Sequence, residues 1–355
     1  MTPPRTLGIA AVWLVAAGLA SAAVRWDDVL KQPPEWYATP EARQVAASML
    51  LYQSPAGGWP TDVDTTVPPT EKFLALKPSA RAPTIDDDAT TRPLQHLARV
   101  ITATGAADLP AAFLRGFDYL LAAQYPNGGW PQYFPLREGY YSHITYNDNA
   151  MIDVLTLLRD AAAGKAPFAF VDEARRARAA AAVAKGIDCI LRTQVRQDGK
   201  LTAWGAQHDE NTLAPAWARR FEPPSLVSAE SVGIVRFLMA IPDPSPEVVT
   251  AVEGAVTWLG QAKLTGVRED HPPRPDLPQQ LDRVLVPDPA APPLWARFYE
   301  LGTNRPLYGS RDGIAHYHLA EIEPERRGGY AWHNNAPAKL LERDYPRWRT
   351  KNKLP

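Results

Sequence analysis

Apolar residues recur every three to four positions in several segments of the chain, the spacing that places them on one face of an α-helix. Apolar side chains at positions 94, 97, 98 and 101, and at 151, 152, 155 and 158, are two examples. The pattern predicts helices over 40–53, 88–104, 109–124, 147–163, 172–194, 228–241 and 246–262. No segment shows sustained alternation of apolar and polar residues with β-branched side chains, so we expect strands to be minor.

A glycine-tryptophan motif recurs where the predicted helices end. Gly-Gly-Trp-Pro occurs at 57–60 and at 128–131, and a variant ending in Ala-Trp occurs at 195–204. The motif tryptophans are Trp59, Trp130 and Trp204, which are 71 and 74 residues apart. Each motif leads through a long loop to another helix, and such a period fits a helix pair repeated around a ring. We therefore predict an all-α fold, an (α/α)3 barrel or toroid, whose long loops form the rim of the active site.

The ends of the chain differ in character from its middle. Residues 1–22 contain Arg5, then a short apolar run, then Ala-Ser-Ala, an order typical of a secretory signal peptide. The apolar run is short for a membrane span. We expect a single domain over 23–355 that is secreted or periplasmic and free of the membrane after cleavage. The proline-rich stretch 271–293 reads as a linker or, as we favour, a surface loop, since 294–345 has little apolar periodicity of its own.

Composition limits the partners of the protein. With 38 Lys and Arg against 39 Asp and Glu, the chain is nearly neutral and has no general attraction for nucleic acid. A polyanion would have to be held by a local cluster of arginine, lysine or metal. The single cysteine, Cys189, permits no internal disulfide, and its apolar neighbours favour a small buried residue over a nucleophile.

Two clusters of oxygen-bearing side chains lie just before predicted helices, at equivalent points of the first two repeats. They are Asp86, Asp87 and Asp88 in the first repeat and Asn147, Asp148 and Asn149 in the second. Either cluster could cap a helix, but a cap needs one such residue, and three adjacent carboxylates repel one another. The surplus of oxygen favours a hard cation such as Ca²⁺, bound between separate loops because neither cluster has the spacing of an EF-hand loop.

Arginines stand beside aromatic residues in two later segments. They are Arg219 and Arg220, with Glu222, in 216–231, and Arg297, Arg305 and Arg311 in 295–313. A guanidinium group binds a carboxylate through paired hydrogen bonds and aromatic rings lie against sugars, so the pattern suits carboxylated sugars. Surface ion pairs are the alternative for the first segment, and structural salt bridges for at least one arginine of the second.

The residues alone leave several function classes open. A glycoside hydrolase on an α/α toroid could use a carboxylate pair such as Asp86 and Asp148. A secreted binding protein for acidic glycans would need the same arginines and aromatic residues without turnover. Terpene cyclases also combine Gly-Trp repeats with acid clusters, but export and an arginine-rich rim argue against them.

Seven blocks of sequence, in order over about residues 50–312, resemble the pectate lyases of polysaccharide lyase family 10. The blocks are GGWPTD, TIDDDATT, YPNGGWPQ, ITYNDNAM, WGAQHDENTL, ARRFEPPSLVSAESVGI and RFYELGTNRPLYGSRDG. Any one block is weak evidence, but seven in the same order are specific. The resemblance implies an (α/α)3 barrel that cleaves polygalacturonate by calcium-assisted β-elimination.

Matched motif by motif, the resemblance implies that Arg219 is the catalytic base, with Arg220 as its immediate neighbour and alternative. An arginine is normally protonated at neutral pH, so we expect nearby cations and Ca²⁺ to lower its pKa.

The resemblance also implies a calcium site and a substrate site. The implied calcium ligands are Asp86, Asp87 and Asp148. The implied substrate-binding residues, together with two loop residues that we place near the rim, are Arg297, Arg311, Asp86, Trp130 and His208. Asp87 and Asp88 stand where the family pattern leads us to expect Asn and Gly, which makes the metal pocket more acidic. We expect the protein to act as a monomer.

Overall fold

The structure is a computed structural model that describes residues 24–354. The predicted signal peptide, 1–22, lies outside the described residues. The α-helices, in chain order, are α1 Pro40–Leu50, α2 Glu71–Leu74, α3 Thr91–Thr104, α4 Pro110–Ala122, α5 Ala150–Ala162, α6 Glu173–Thr193, α7 Ala229–Met239, α8 Pro246–Gln261, α9 Pro324–Gly328, α10 Ala336–Lys339 and α11 Tyr345–Lys351. The seven predicted helices are confirmed as α1 and α3 to α8, with ends within three residues of the predictions.

Local sequence signals explain where these helices begin. Thr39, Asp172 and Ser245 precede α1, α6 and α8, and each side chain accepts a hydrogen bond from a backbone N–H of the first turn. Such caps satisfy donors that the helix itself leaves free. Helix α3 is terminated by the residue that follows it, Gly105, whose φ of 66° is easily adopted by glycine. These helix ends are therefore set by capping residues and by a glycine that lie within a few residues of the predicted ends.

Six of the helices pack as two layers. Helices α3, α5 and α7 contact one another in order, α4, α6 and α8 do the same behind them, and consecutive helices α3–α4, α5–α6 and α7–α8 pair across the layers. The two acidic clusters directly precede α3 and α5 and contact each other, so the N-terminal ends of these two helices lie on the same side of the molecule. This arrangement brings the equivalent points of successive repeats together.

The motif tryptophans are the fixed points of the repeat. Trp59, Trp130 and Trp204 are fully buried, and each indole N–H donates to a carbonyl at the end of the preceding helix, those of Met49, Leu120 and Ile190, at 2.7 to 2.8 Å. Buried tryptophan normally needs such a partner for its N–H. The repeat that the sequence predicts is therefore a repeat of packing and hydrogen bonding.

The predicted all-α fold is wrong. The structure is 45% helix and 12% strand, with several small sheets and no closed barrel among the described residues. The strands are β1 Ile144–Thr145, β2 Arg196–Gln197, β3 Lys200–Leu201, β4 Gln207–His208, β5 Leu226–Val227, β6 Val267–Asp270, β7 Val284–Pro287, β8 Trp295–Ala296, β9 Phe298–Tyr299, β10 Pro306–Gly309, β11 Ala315–His316 and β12 His333–Asn334. Strands of two to four residues are too short to show the alternation by which strands are recognised in sequence.

The sheets are antiparallel, and they tie loops from distant parts of the chain to the helical layers. One sheet has the order β11-β10-β9-β5, and two-stranded sheets join β1 to β4, β8 to β12, β2 to β3 and β6 to β7. The proline-rich stretch 271–293 contains β7, which pairs with β6, so it belongs to a hairpin and is not a linker between domains. None of the helices in 24–354 is long and apolar enough to cross a membrane.

Candidate active site

The two acidic clusters form a pair of turns with the same backbone. Asp86–Asp88 and Asn147–Asn149 are single 3-10 turns that contact each other. Residues Asp87 and Asp88 have φ values of 45° and 59°, and their counterparts Asp148 and Asn149 have 48° and 62°. Asp and Asn tolerate this left-handed region better than other residues with a side chain. The helix-capping alternative fails, because α3 and α5 have no side-chain capping hydrogen bond.

Three carboxylates of these turns converge. One oxygen each from Asp86, Asp87 and Asp148 lies within 4.8 Å of the other two. The pKa of Asp86 is raised to about 7, first by burial and then by repulsion from Asp87, Asp148 and Asp62. The pKa of Asp87 is raised by burial and then by Asp148. Asp62, which follows the first Gly-Gly-Trp-Pro, is a nearby carboxylate that the sequence analysis did not select.

This set of donors fits a divalent cation that prefers oxygen. The Oδ1 atom of Asp86 is buried and has no hydrogen-bond partner among the described residues. Burial and repulsion by neighbouring carboxylates disfavour the ionised forms of Asp86 and Asp87, and a cation among the three carboxylates would offset both effects. The structure brings together the three residues predicted as calcium ligands. The carboxylate of Asp88 instead accepts a hydrogen bond from Arg92 at 2.7 Å.

Arg219 lies near enough to the acidic turns for its charge to act on Asp87, and we call the space between them the cleft. One glutamate holds the Arg219 side chain. Its Nε and Nη2 atoms donate to the two carboxylate oxygens of Glu222, at 2.8 and 2.6 Å. The Arg219 side chain remains 46% exposed, whereas that of Glu222 is 8% exposed. No hydrogen bond of Nη1 is found within the described part of the chain. The hydrogen bonds to Glu222, and then its charge, raise the pKa of Arg219 above its ordinary value. The expectation that neighbours lower this pKa is therefore wrong for the protein residues.

Arg297 joins the two sides of the cleft. Its Nη2 atom lies 3.0 Å from a carboxylate oxygen of Glu230, 3.2 Å from the amide oxygen of Asn147 and 3.5 Å from a carboxylate oxygen of Asp148. Its side chain is largely buried. Burial alone would lower the pKa of Arg297, but Glu230 and the other nearby acids raise it overall. Arg297 is thus placed to meet a ligand that also reaches the acidic turns.

Tyr330 lies at the centre of the arginine side, and sequence reasoning missed it. Its hydroxyl donates to a carboxylate oxygen of Glu222 at 2.7 Å. Its ring centroid is 4.9 Å from the guanidinium carbon of Arg297, 5.0 Å from that of Arg326 and 5.8 Å from that of Arg219. The aromatic face attracts cations, so one ring helps to seat three guanidinium groups. The only signal in the sequence is that arginine and aromatic residues continue beyond 313.

The other arginines of the sequence analysis lie away from this centre. Arg311 is exposed and forms a two-point ion pair with Glu325, at 2.8 and 2.9 Å. Arg220 donates to the carbonyl oxygen of Asp312 at 3.0 Å. Arg305 is in the turn between β9 and β10, at the end of that hairpin opposite Arg297. Its guanidinium carbon is 3.5 Å from the ring centroid of Tyr317. Arg219 and not Arg220 therefore faces the cleft.

Two predicted substrate contacts are wrong. Trp130 and His208 are both fully buried. The ring of His208 donates to the carbonyl of Leu213 and accepts from the backbone N–H of Gly205, so it is held neutral, and burial lowers its pKa to about 4. Both residues lie in segments close to the cleft, but their side chains point into the core. Neither presents surface to a polysaccharide.

Comparisons with known proteins show which family the chain resembles in sequence and in fold. The sequence profile described as pectic acid lyase matches residues 53–341. The chain is also similar to two solved structures of the family 10 polysaccharide lyase from Cellvibrio cellulosa. The first, an aspartate-to-alanine mutant in complex with trigalacturonic acid, is 32% identical, with a TM-score of 0.75 over 93% of this chain and 99% of that chain. The second is 32% identical, with a TM-score of 0.76 over 92% and 95%.

Among curated protein sequences, none matches the chain. The profile and the two structures nevertheless cover nearly all of the described residues, including both acidic turns, Arg219 and Arg297. They decide against the hydrolase and against the binding protein without turnover, since both name a lyase. The chain therefore belongs to the pectic acid lyases of polysaccharide lyase family 10 and is a lyase.

Proposed function

We propose that the protein is a secreted or periplasmic, monomeric pectate lyase that cleaves α-1,4-polygalacturonate by calcium-assisted β-elimination, giving 4,5-unsaturated oligogalacturonides. The observation that carries the proposal is the arrangement of three converging carboxylates opposite Arg219, with Arg297 in contact with both sides. The trigalacturonic acid in the similar Cellvibrio lyase supports a polyuronate as substrate. The signal-like order of residues 1–22 supports export.

The carboxylates provide the calcium site in this proposal. Asp86, Asp87 and Asp148 are the residues that would hold Ca²⁺. When bound, the cation would neutralise the carboxylate of the uronate and stabilise the negative charge that develops when C5 loses its proton. Asp148 also lies beside Arg297, so the side of the ligand that meets the acidic turn can meet a guanidinium group as well.

The arginines position the uronates. Arg297, largely buried and fixed by Glu230, is suited to hold a carboxylate close to the reacting carbon, because little of its mobility remains to be lost on binding. Arg311 lies at the exposed margin and is proposed to bind a carboxylate farther along the polymer, which requires exchange of its partner Glu325.

Arg219 is the proposed proton acceptor. The C5–H bond breaks, its electron pair forms the C4–C5 double bond, and the bond from C4 to the bridging oxygen breaks, with the oxygen taking a proton from solvent. The Nη1 atom of Arg219 is the atom assigned to the C5 proton, since Nε and Nη2 are bonded to Glu222. Only a neutral guanidine accepts a proton, so the raised pKa of Arg219 predicts that activity increases toward alkaline pH.

The test is incubation of the protein without residues 1–22 with polygalacturonate, with and without a calcium chelator. We expect products that absorb ultraviolet light, as a double bond conjugated with a carboxylate does, and their loss in chelator. Full activity after removal of metal would contradict the calcium site. Saturated products would contradict elimination.

A further inference from the structure

Three tyrosines and one arginine form a stack beside the cleft. The ring centroids of Tyr140 and Tyr141 are 4.0 Å apart. The ring centroids of Tyr133 and Tyr141 are 5.3 Å apart, and these two rings pack edge to face. The guanidinium carbon of Arg137 is 4.3 Å from the ring centroid of Tyr141 and 5.1 Å from that of Tyr133. We call Tyr133, Arg137, Tyr140 and Tyr141 the tyrosine wall. None of its residues is assigned above to calcium, to the base or to substrate.

Backbone pairing attaches the tyrosine wall to the first acidic turn. The backbone N–H of Ile85 donates to the carbonyl of Gln132 at 3.1 Å, and the N–H of Gln132 donates to the carbonyl of Tyr141 at 3.0 Å. Thr84 also pairs with Tyr133 in an isolated antiparallel bridge. Two loops from different repeats are thereby fixed to each other, and the wall cannot shift without moving the residue that precedes Asp86.

The wall extends from the acidic turns to the base. Its Tyr133 end lies near Asp86, whose charge adds to burial in raising the pKa of Tyr133. Its Tyr140 end lies near Arg219: burial and the neighbouring Tyr141 raise the pKa of Tyr140, and the charge of Arg219 opposes them. The stack therefore borders the cleft between the two groups that carry the proposed chemistry.

Arg137 has no acidic partner among the residues that the structure describes. Over residues 24–354, no hydrogen bond and no ion pair of its guanidinium group is found, and the residue is exposed. Arg219, Arg297 and Arg311 differ from it, because each is bound to a glutamate. Two rings hold the Arg137 side chain while its N–H donors stay free. A guanidinium group that is oriented in this way is prepared for a carboxylate ligand.

We propose that Arg137, held by Tyr141 and Tyr133, binds the carboxylate of a uronate unit that neighbours the unit undergoing cleavage, and thereby selects de-esterified polymer. The proposal rests on the proposed function. A polyuronate carries a carboxyl group on every unit, so a chain whose reacting unit meets Arg219 presents further carboxyl groups along the wall. A methyl ester at the Arg137 position has no negative charge and cannot accept the paired, charge-assisted hydrogen bonds.

The kinetic test compares Arg137→Ala with wild type on polygalacturonate and on a highly methyl-esterified pectin. We expect KM for polygalacturonate to rise about tenfold, the loss of one charge-assisted contact, with kcat within about twofold. The preference for the de-esterified polymer should shrink, and Arg137→Lys should recover part of it. Arg305→Ala is the matched control, an exposed arginine that also lies over a tyrosine but at the far end of the β9–β10 hairpin. It should leave both constants unchanged.

A binding measurement separates this proposal from the proposed function. Hexagalacturonate is titrated by calorimetry, with calcium present, into Arg219→Ala and into Arg219→Ala combined with Arg137→Ala. An affinity about tenfold weaker in the double variant than in Arg219→Ala supports the proposed Arg137 site. This holds even if the wild type forms no unsaturated product, because that result would contradict only the elimination reaction. Equal affinities of the two proteins, an unchanged KM in Arg137→Ala, or an equal loss in Arg305→Ala would overturn the proposal. Circular dichroism and thermal unfolding establish that the variants are folded.

Discussion

The two sides of the cleft handle their charges in opposite ways. On the acidic side, Asp86 and Asp87 form no ion pair with any described residue, and both have raised pKa values because burial and like charge disfavour ionisation. On the basic side, Arg219 and Arg297 are each bound to a glutamate, and both have raised pKa values because the positive form is stabilised. The acidic side therefore favours the binding of a cation, whereas the arginines of the basic side are already held by protein carboxylates.

This difference separates two tasks that an elimination of a polyanion requires. Carboxylates kept close without protein partners create affinity for a divalent cation. Arginines held by glutamates are oriented in advance, at the cost of a proton affinity unsuited to a base. Arg219 therefore has conflicting requirements, and Glu222 is the residue through which they are balanced.

The largest effect should come from removing the proposed base. We expect Arg219→Ala to lower kcat by several orders of magnitude with a much smaller change in affinity for oligogalacturonate, the pattern of a group that acts mainly in the transition state. Arg219→Lys should also fail, because an ammonium group does not reproduce the planar pair of bonds to Glu222. Steady-state kinetics and calorimetry measure the two quantities.

Arg220→Ala is the matched control, since Arg220 is the adjacent arginine and bonds to the carbonyl of Asp312 outside the cleft. We expect its activity to remain close to wild type. A dead Arg220→Ala with an active Arg219→Ala would move the base by one residue. Activity in both would show that neither arginine is the base.

The next effect tests the acidic side. We expect Asp86→Ala and Asp148→Ala each to raise the calcium concentration for half-maximal activity by tenfold or more, because each removes one ligand of a site with few ligands. Both should fold, since neither residue caps a helix. Asp62→Asn is the comparison variant, with a smaller expected effect because the charge of Asp62 acts on Asp86 but its carboxylate is not one of the three that converge. Loss of fold without change in calcium dependence would refute the site.

A third experiment tests the balance at Glu222 through pH. In Glu222→Gln the negative charge that raises the pKa of Arg219 is absent, so neutral arginine becomes available at lower pH. The alkaline-rising limb of kcat/KM should therefore shift toward lower pH, with a moderate loss of maximal rate from poorer orientation. Glu230→Gln, on the partner of Arg297, should alter KM without moving this limb. A limb that stays in place in Glu222→Gln would exclude Arg219 as the titrating group.

The smallest expected effect concerns the buried residue His208. The folded-state pKa of His208 is about 4, below the ordinary 6.5, so its contribution to stability is present above pH 6.5 and is lost as pH falls toward 4. The shift corresponds to roughly 3 kcal/mol at most. We expect the stability of His208→Gln to fall less steeply than that of wild type between pH 6.5 and 4, by urea unfolding, with little change in KM. An equal slope would contradict the buried neutral histidine.

The sequence predicted those features that depend on short-range regularity. Helices α3 to α8 have several turns each, so their apolar periodicity was visible. The meeting of Asp86 with Asp148 was predicted because the repeat placed both before equivalent helices. The short strands were not predicted, since β5 and β9 are two residues each and pair across about seventy residues of chain.

The errors at the site have a common physical origin, which is side-chain direction. Trp130 and His208 lie in polar loops near the cleft, but nothing in the neighbouring sequence indicates that their side chains point inward. Tyr330 is far in sequence from the acidic turns and reaches the arginines only through the pairing of β12 with β8. The raised pKa of Arg219 depends on a turn that places Glu222 back against its guanidinium group. Each of these depends on tertiary geometry.

The position of Tyr330 has a consequence for the order in which the protein becomes functional during synthesis. Asp86 precedes Tyr330 by more than two hundred residues, so it emerges first from the ribosome or from an export channel. The helical layers up to α8 can begin to pack in that interval. Tyr330, whose ring contacts three arginines, follows only after α9, in the segment before β12. An incomplete chain can thus contain all three carboxylates of the acidic side before the arginines have Tyr330 to pack against. Catalytic competence should appear late and abruptly, when the last loop closes over a scaffold that is already folded.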